Sequence, residues 1–236
     1  MANMANMANK DFRYIIILLI CFLVALFNSV FLFNNNYLDL KRDYEKNLKL
    51  YEVIVYSLGN IRYNLAAYFW IRTEYLIHYS GNIAINNLPE IVYYAKLITI
   101  LNPNFVEAYD FGAYQLAFFL NLPKEGLNFI KEGIKNNPNE YKLYFTAGMI
   151  YSQKIKNYNE SYKWLSKSLE LISKNKLNID RQEFFELYKF LAYSAYELNK
   201  YTQAYIYYNK SMDYSTNKEL MKNSRLYKKI LENLYK

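Results

Sequence analysis

Apolar residues in this chain fall into one unbroken block followed by a long series of helical periods. The block is residues 14–33, YIIILLICFLVALFNSVFLF, which carries no charge. At 1.5 Å per residue it makes about 30 Å of helix, the hydrocarbon thickness of a bilayer. A buried core helix of that length keeps a polar stripe, and here only Asn28 and Ser29 are strongly polar. The block is therefore expected to be a transmembrane helix. Its length and the absence of a small-x-small site argue against cleavage. Leu18-Leu19-Ile20-Cys21 is only faintly similar to a lipoprotein signal, because Ile20 is too large for its position and the apolar run continues. An uncleaved signal anchor is the expectation, preceded by a disordered tail, residues 1–13, that opens MANMANMANK. Lys10 and Arg13 favour retention of that tail inside, although Lys41, Arg42, Lys46 and Lys49 follow the segment. This topology predicts a single-pass protein of the inner (cytoplasmic) membrane with its remainder in the periplasm.

Beyond the anchor, residues 34–60 read as a juxtamembrane helix, with Leu40, Leu48, Val53, Ile54 and Leu58 at helical spacing over 37–58 and Gly59-Asn60 closing it. Helices are expected next at 61–79 and at 89–101, where Pro89 suits a first helical turn. Asn102-Pro103-Asn104 breaks the chain. Further helices follow at 105–119, 123–136, 140–154, 158–172, 181–198 and 201–213. A last amphipathic helix is expected at 217–235, capped by Asn217, with Leu220, Met221, Leu226, Tyr227, Ile230, Leu231 and Leu234 on its apolar side. The fold class is all-α. Pro103 and Pro138, each inside an Asn-Pro-Asn triplet, stand 35 residues apart.

That period and the residues within it resemble the tetratricopeptide repeat, a helical hairpin of 34 residues with small side chains at its crossing. Tyr144, Ala147-Gly148 and Tyr151, then Tyr158, Ser161, Leu165 and Ser168, fill one unit. Tyr188, Leu191-Ala192, Tyr201, Ala204, Tyr208 and Ser211 fill the last. Tyr109, Gly112-Ala113, Leu116, Gly126, Ile130, Gly133 and Pro138 make an earlier unit that needs one extra residue in its turn. Trp70, Ala95 and Pro103 suggest a degenerate opening unit. The repeats then span residues 61–213, with about three clear units and one degenerate, and residues 214–236 form a C-terminal cap. The extra stretch Ile172 to Asp180 predicts a bend or bulge before the last unit. The resemblance implies a right-handed α-solenoid whose concave face is lined by the first helix of each pair. Its groove positions carry over to Asp110, Tyr114, Phe118, Phe145, Met149, Gln153, Lys189, Tyr193 and Tyr196. Members of the family that hold a terminal carboxylate use lysine and asparagine where Asp110 and Tyr114 stand here. These substitutions argue against carboxylate capture and favour an apolar or helical segment of a protein partner. Packing against the next hairpin is the competing reading of Phe145 and Tyr193.

Composition narrows the chemistry. The chain has 236 residues, 28 of them Tyr, with 4 Pro and 6 Gly, which suits packed helices better than turn-rich sheets. A formal net charge of +8 does not make a dense basic stripe, because lysines alternate with acids as in KRDYEKNLK. No nucleic-acid partner is expected. His78 is the single histidine and Cys21 the single cysteine, so a serine triad, a histidine zinc site and an intrachain disulfide all lack their residues. Glycines stand singly, without a phosphate-cradling loop. Glu183 and Glu186 share a helix face in a solvated setting, and Glu90, Glu107 and Glu140 sit at helix starts where the positive end of the helix favours them. Neither a cofactor, a metal nor a small-molecule substrate is expected, and the chain reads as no enzyme.

The expected function is a protein-binding scaffold of a bacterial membrane or envelope complex. A transient assembly or quality-control factor for a pilus, secretion or flagellar system is the alternative, distinguished by substoichiometric association. The heavy use of Asn, Lys, Ile, Phe and Tyr, together with the architecture, looks similar to anchored repeat proteins of spirochaetal envelopes, including those of the periplasmic flagellar collar.

Overall fold

The computed structural model describes residues 55, 57–79 and 88–235. The tail at 1–13, the membrane segment at 14–33 and nearly all of the juxtamembrane helix lie outside the described residues, as does the side chain of His78. The chain divides into two units, Met1–Ser57 and Leu58–Lys236, and the second carries the fold. Helix α1 (Ile61–Tyr79) pairs with α2 (Leu88–Leu101), α3 (Val106–Tyr114) with α4 (Pro123–Asn136), α5 (Tyr141–Ile150) with α6 (Tyr158–Lys174), and α7 (Arg181–Glu197) with α8 (Tyr201–Tyr214). Two short helices, α9 (Lys218–Lys222) and α10 (Arg225–Leu234), close the chain. Each helix packs on its neighbours in sequence, so the second unit is an all-α helical solenoid, without a strand among the described residues.

Close crossings hold each hairpin. A Cβ on Gly148 would stand 2.5 Å from Leu165 Cγ, and one on Gly112 would stand 2.6 Å from Phe129 Cε1. Leu165 therefore fills the space that any larger residue at 148 needs. Ser161 Oγ donates to the Gly148 carbonyl at 2.9 Å and lies 2.8 Å from Ser194 Oγ of the next hairpin, all within the core. One small side chain thus satisfies a helix carbonyl and ties two repeats. In the last hairpin Ala192 and Ala204 occupy the crossing, both fully buried. The Asn-Pro-Asn triplets are joined directly. Asn137 Nδ2 donates to the Pro103 carbonyl at 2.9 Å and also to the Gly133 carbonyl at 3.2 Å. The repeat period is written into that bond, which spans one whole unit.

The turns show where additional residues went. From crossing to crossing the hairpins take thirteen residues (Ala113 to Gly126), thirteen (Gly148 to Ser161) and twelve (Ala192 to Ala204). The two longer hairpins end their first helix in a π turn, Gln115–Phe119 and Tyr151–Ile155, and the shortest ends in regular α-helix. A π turn holds an extra residue without breaking the helix. In all three, the second residue before the return helix has positive φ: Asn121 at 54°, Lys156 at 62° and Asn199 at 58°. Asparagine tolerates this region and lysine gains nothing there. Gln115 Oε1 and Ser152 Oγ, one in each π turn, are buried with no hydrogen-bond partner among the described residues.

One feature departs from the sequence pattern, and a second falls where the extra residues stand. The single last helix expected at 217–235 is two helices. Asn217 does cap the first, accepting from Leu220 N at 2.9 Å. Ser224 then turns extended and caps the second, accepting from Tyr227 N at 3.2 Å. Tyr208 OH lies 2.5 Å from Ser224 Oγ and donates to the Met221 carbonyl at 3.1 Å, so a core side chain of α8 holds the break. The second feature follows the extra stretch before α7. Helices α3 and α5 pack directly, whereas α5 and α7 meet chiefly through long side chains. Arg181 at the start of α7 donates to the carbonyls of Tyr214, Asp213 and Ser215 at 2.9, 3.2 and 3.3 Å, satisfying the end of α8.

Candidate functional site

The first helices α3, α5 and α7, with the π turns that follow α3 and α5, carry the nine groove positions, and their side chains fall into distinct settings. On α3 and its π turn, Tyr114 stacks on Phe118 with ring centroids 4.6 Å apart, and Phe119 lies 5.9 Å from Tyr114. Tyr114 and Phe119 are exposed, Phe119 by 57%. Lys154, from the π turn after α5, stands 5.4 Å over the Phe118 ring. Aromatic faces attract such a cation. The adjoining Gln153 is exposed and Met149 is half-buried. The π turns thus bring an aromatic cluster and a lysine together across two repeats.

One helical turn and more toward the start of α3, Asp110 hydrogen-bonds Thr146 of α5. The residue is partly covered, but its carboxyl is set deep between the helices. Burial raises its pKa to about 6, against the lowering effects of the Thr146 hydrogen bond and Lys142. Beside it, Tyr141 OH donates to Glu183 Oε2 at 2.7 Å and Lys142 Nζ is 3.5 Å from Glu183 Oε1. Burial first, then the bond to Glu183, raises the Tyr141 hydroxyl. Phe145 meets Phe190 edge-on at 6.0 Å. These contacts make the side-chain bridge between α5 and α7.

The remaining positions are engaged elsewhere. Tyr193 packs edge-on against Tyr158 of α6 at 5.7 Å, with hydroxyls 3.4 Å apart. Tyr196 packs against Tyr201 at 5.8 Å, at the turn of its own hairpin. Lys189 is exposed and lies 5.5 Å over Phe185. The nine positions do not form one continuous lining: Asp110, Tyr114, Phe118 and Phe145 belong to the α3–α5 region, and Tyr193 and Tyr196 turn toward other helices. Thr146, Tyr141, Glu183, Phe119 and Lys154 were not singled out from the sequence as groove residues. Phe119 and Lys154 sit in π turns, and Thr146 and Glu183 pair across repeats, so helical spacing alone gives no sign of them.

Nothing in this region resembles a reactive centre. Among the described residues no group of three or more His, Cys, Asp or Glu side chains gathers in metal-binding distance. A second polar set joins Lys96 of α2, buried Tyr109 of α3 and exposed Glu132 of α4. Burial lowers Lys96, raises Glu132 and pushes Tyr109 up to about 12, and Asn136 Nδ2 donates to Tyr109 OH at 2.8 Å. Of these groups, only the Tyr109 ring is fully within the core.

Consecutive hairpins with small crossing residues, open at the first-helix face, place the second unit in the class of tetratricopeptide-like helical-repeat proteins. No family model matches the sequence, and no curated protein matches it. Among solved structures, the chain is similar to the crystal structure of MamA, with TM-score 0.45 and 14% identity, over 64% of this chain and 90% of that one. It is similar also to MamA from residue 41 to its end, from Desulfovibrio magneticus RS-1, with TM-score 0.45 and 16% identity over 75% and 98% of the two chains. The Cut9–Hcn1 hetero-tetramer of APC/C is matched at TM-score 0.36 and 14% identity, over 83% and 47%. The likeness is one of helical form.

No helix among the described residues is long and apolar enough to cross a membrane, and residues 14–33 lie outside them.

Proposed function

We propose that this protein is a non-enzymatic scaffold of a bacterial envelope complex, held at the inner membrane by residues 14–33 with its repeats on the periplasmic side. The observation that supports it is the aromatic cluster of exposed Tyr114 and Phe119 with half-buried Phe118, Lys154 standing over it, on a solenoid that lacks any reactive constellation among its described residues. Large aromatic side chains offer contact area at small entropy cost, and such residues dominate binding energy at interfaces. Met149, Gln153 and Lys189 extend the proposed contact face along the first helices, while Asp110, Phe145, Tyr193 and Tyr196 hold the repeats beneath it. The partner is a protein presenting an apolar or helical segment, and the machine is an envelope assembly of the kind that builds a pilus, a secretion system or a flagellar collar.

Affinity purification of the full chain from native membranes, compared with Tyr114→Ala/Phe118→Ala, tests this. The expected result is a partner recovered at fixed ratio with the wild type and depleted about tenfold with the variant, the loss of two aromatic anchors. Equal recovery from both proteins overturns the assignment of the face. Recovery only in substoichiometric amounts favours a transient assembly factor instead.

A further inference from the structure

The last two helices carry a concentration of positive charge that the packing does not use. Residues 214–236 hold six basic side chains against Glu219 and Glu232, half of the formal net charge of +8 in about a tenth of the chain. The apolar side of α10 is already committed to the core: Ile230 is fully buried, and Tyr227 stacks on Tyr208 and Tyr205 at 5.2 and 6.2 Å. What α10 turns outward is Arg225, Lys228 and Lys229, all exposed, with Glu232 as the one acid among them. Lys222 of α9 is exposed as well. Lys218 pairs with Asp213 at 3.5 Å, while Lys222, Arg225, Lys228 and Lys229 have no carboxylate at ion-pair distance among the described residues. Two bulky apolar side chains flank this surface, Leu220 at 68% and Tyr235 at 80% exposure.

We infer that the outward surface of α9 and α10 docks on an anionic phospholipid bilayer, as a peripheral contact separate from residues 14–33. The charge complements a surface of phosphate headgroups, which attracts clustered lysine and arginine within a Debye length. Leu220 and Tyr235 distinguish a lipid from a nucleic acid. An apolar tip and an amphipathic ring gain by entering the headgroup boundary, and a phosphodiester backbone offers them nothing. The helix itself stays on the surface, because its apolar face is occupied by α8.

The test uses the full chain in nanodiscs of phosphatidylcholine alone, or with about 30% phosphatidylglycerol, where both bilayer faces are open to solution. Acetylation rates of Lys222, Lys228 and Lys229 are read by mass spectrometry, with exposed Lys124 and Lys135 as internal references. Protection of about threefold or more in the anionic discs, lost near 0.5 M NaCl, is the expected result. Entry into the discs reports on residues 14–33 separately. A chain that stays outside them is labelled in the same way with vesicles of the two compositions, so failure of the anchor is told apart from failure of the docking surface. The variant Lys222→Glu/Lys228→Glu, confirmed helical by circular dichroism, should lose the lipid-dependent protection that remains at Lys229. Equal labelling in both lipids overturns the inference. So does protection by random-sequence DNA in phosphatidylcholine discs without any effect of phosphatidylglycerol.

Discussion

Replacing Asp110 by asparagine isolates the buried carboxyl between α3 and α5. Burial moves its pKa from 3.8 to about 6, so between those values the folded chain holds a proton that the unfolded chain has released. Stability from this group is therefore greatest at or below the ordinary value. It falls as pH rises toward 6 and stays low above it. The full difference corresponds to about 3 kcal/mol at 1.36 kcal/mol per tenfold. The amide introduced by Asp110→Asn still accepts a hydrogen bond from Thr146 but carries no charge. At pH 7.5 the variant should be more stable than wild type by up to about 3 kcal/mol, and at pH 4 the two should converge. Urea unfolding followed by fluorescence of Trp164, one of two tryptophans, gives both curves. The informative quantity is their difference against pH, because Glu132 and other titrating groups contribute equally to both. If Asp110→Asn is less stable than wild type at pH 7.5, attraction to Lys142 outweighs burial and the reasoning fails.

Other expectations follow from single contacts. Gly148→Ala places a Cβ 2.5 Å from Leu165 Cγ and should cost about 1–2 kcal/mol in thermal or urea unfolding, despite the better helix propensity of alanine. Lys156→Gly should stabilise by about 0.5 kcal/mol, because lysine there holds φ at 62°; a loss of stability would show that contacts of the lysine side chain outweigh the backbone strain. Ser161→Ala and Ser194→Ala should each destabilise by about 1 kcal/mol, and the double variant by less than the sum, since the two hydroxyls share one hydrogen bond at 2.8 Å.

Helix existence was legible in the sequence. Apolar periodicity and the Asn-Pro-Asn breaks mark α1 and α4 to the residue, and small side chains mark the crossings at Gly148 with Ser161 and at Ala192 with Ala204. The π turns were not legible, because a shift from i→i+4 to i→i+5 bonding leaves the apolar pattern intact while adding a residue. Nor was the break at Ser224, which depends on the Tyr208 hydroxyl arriving from another helix. Groove positions were legible only as a stripe. Where each side chain points depends on the helix packed beside it, so Tyr193 is met by Tyr158 and Asp110 by Thr146, partners a whole repeat away.

The side-chain bridge between α5 and α7 has a mechanical consequence. In a stack where every element touches only its neighbours, a load distributes itself according to the compliance of each joint. Helices in direct register resist displacement, whereas an ion pair, a phenol and two ring edges yield first. At that joint the packed α6–α7 contact, with its Ser161–Ser194 bond, acts as the hinge line, and the α5–α7 edge is the side that opens when the stack is pulled or wedged.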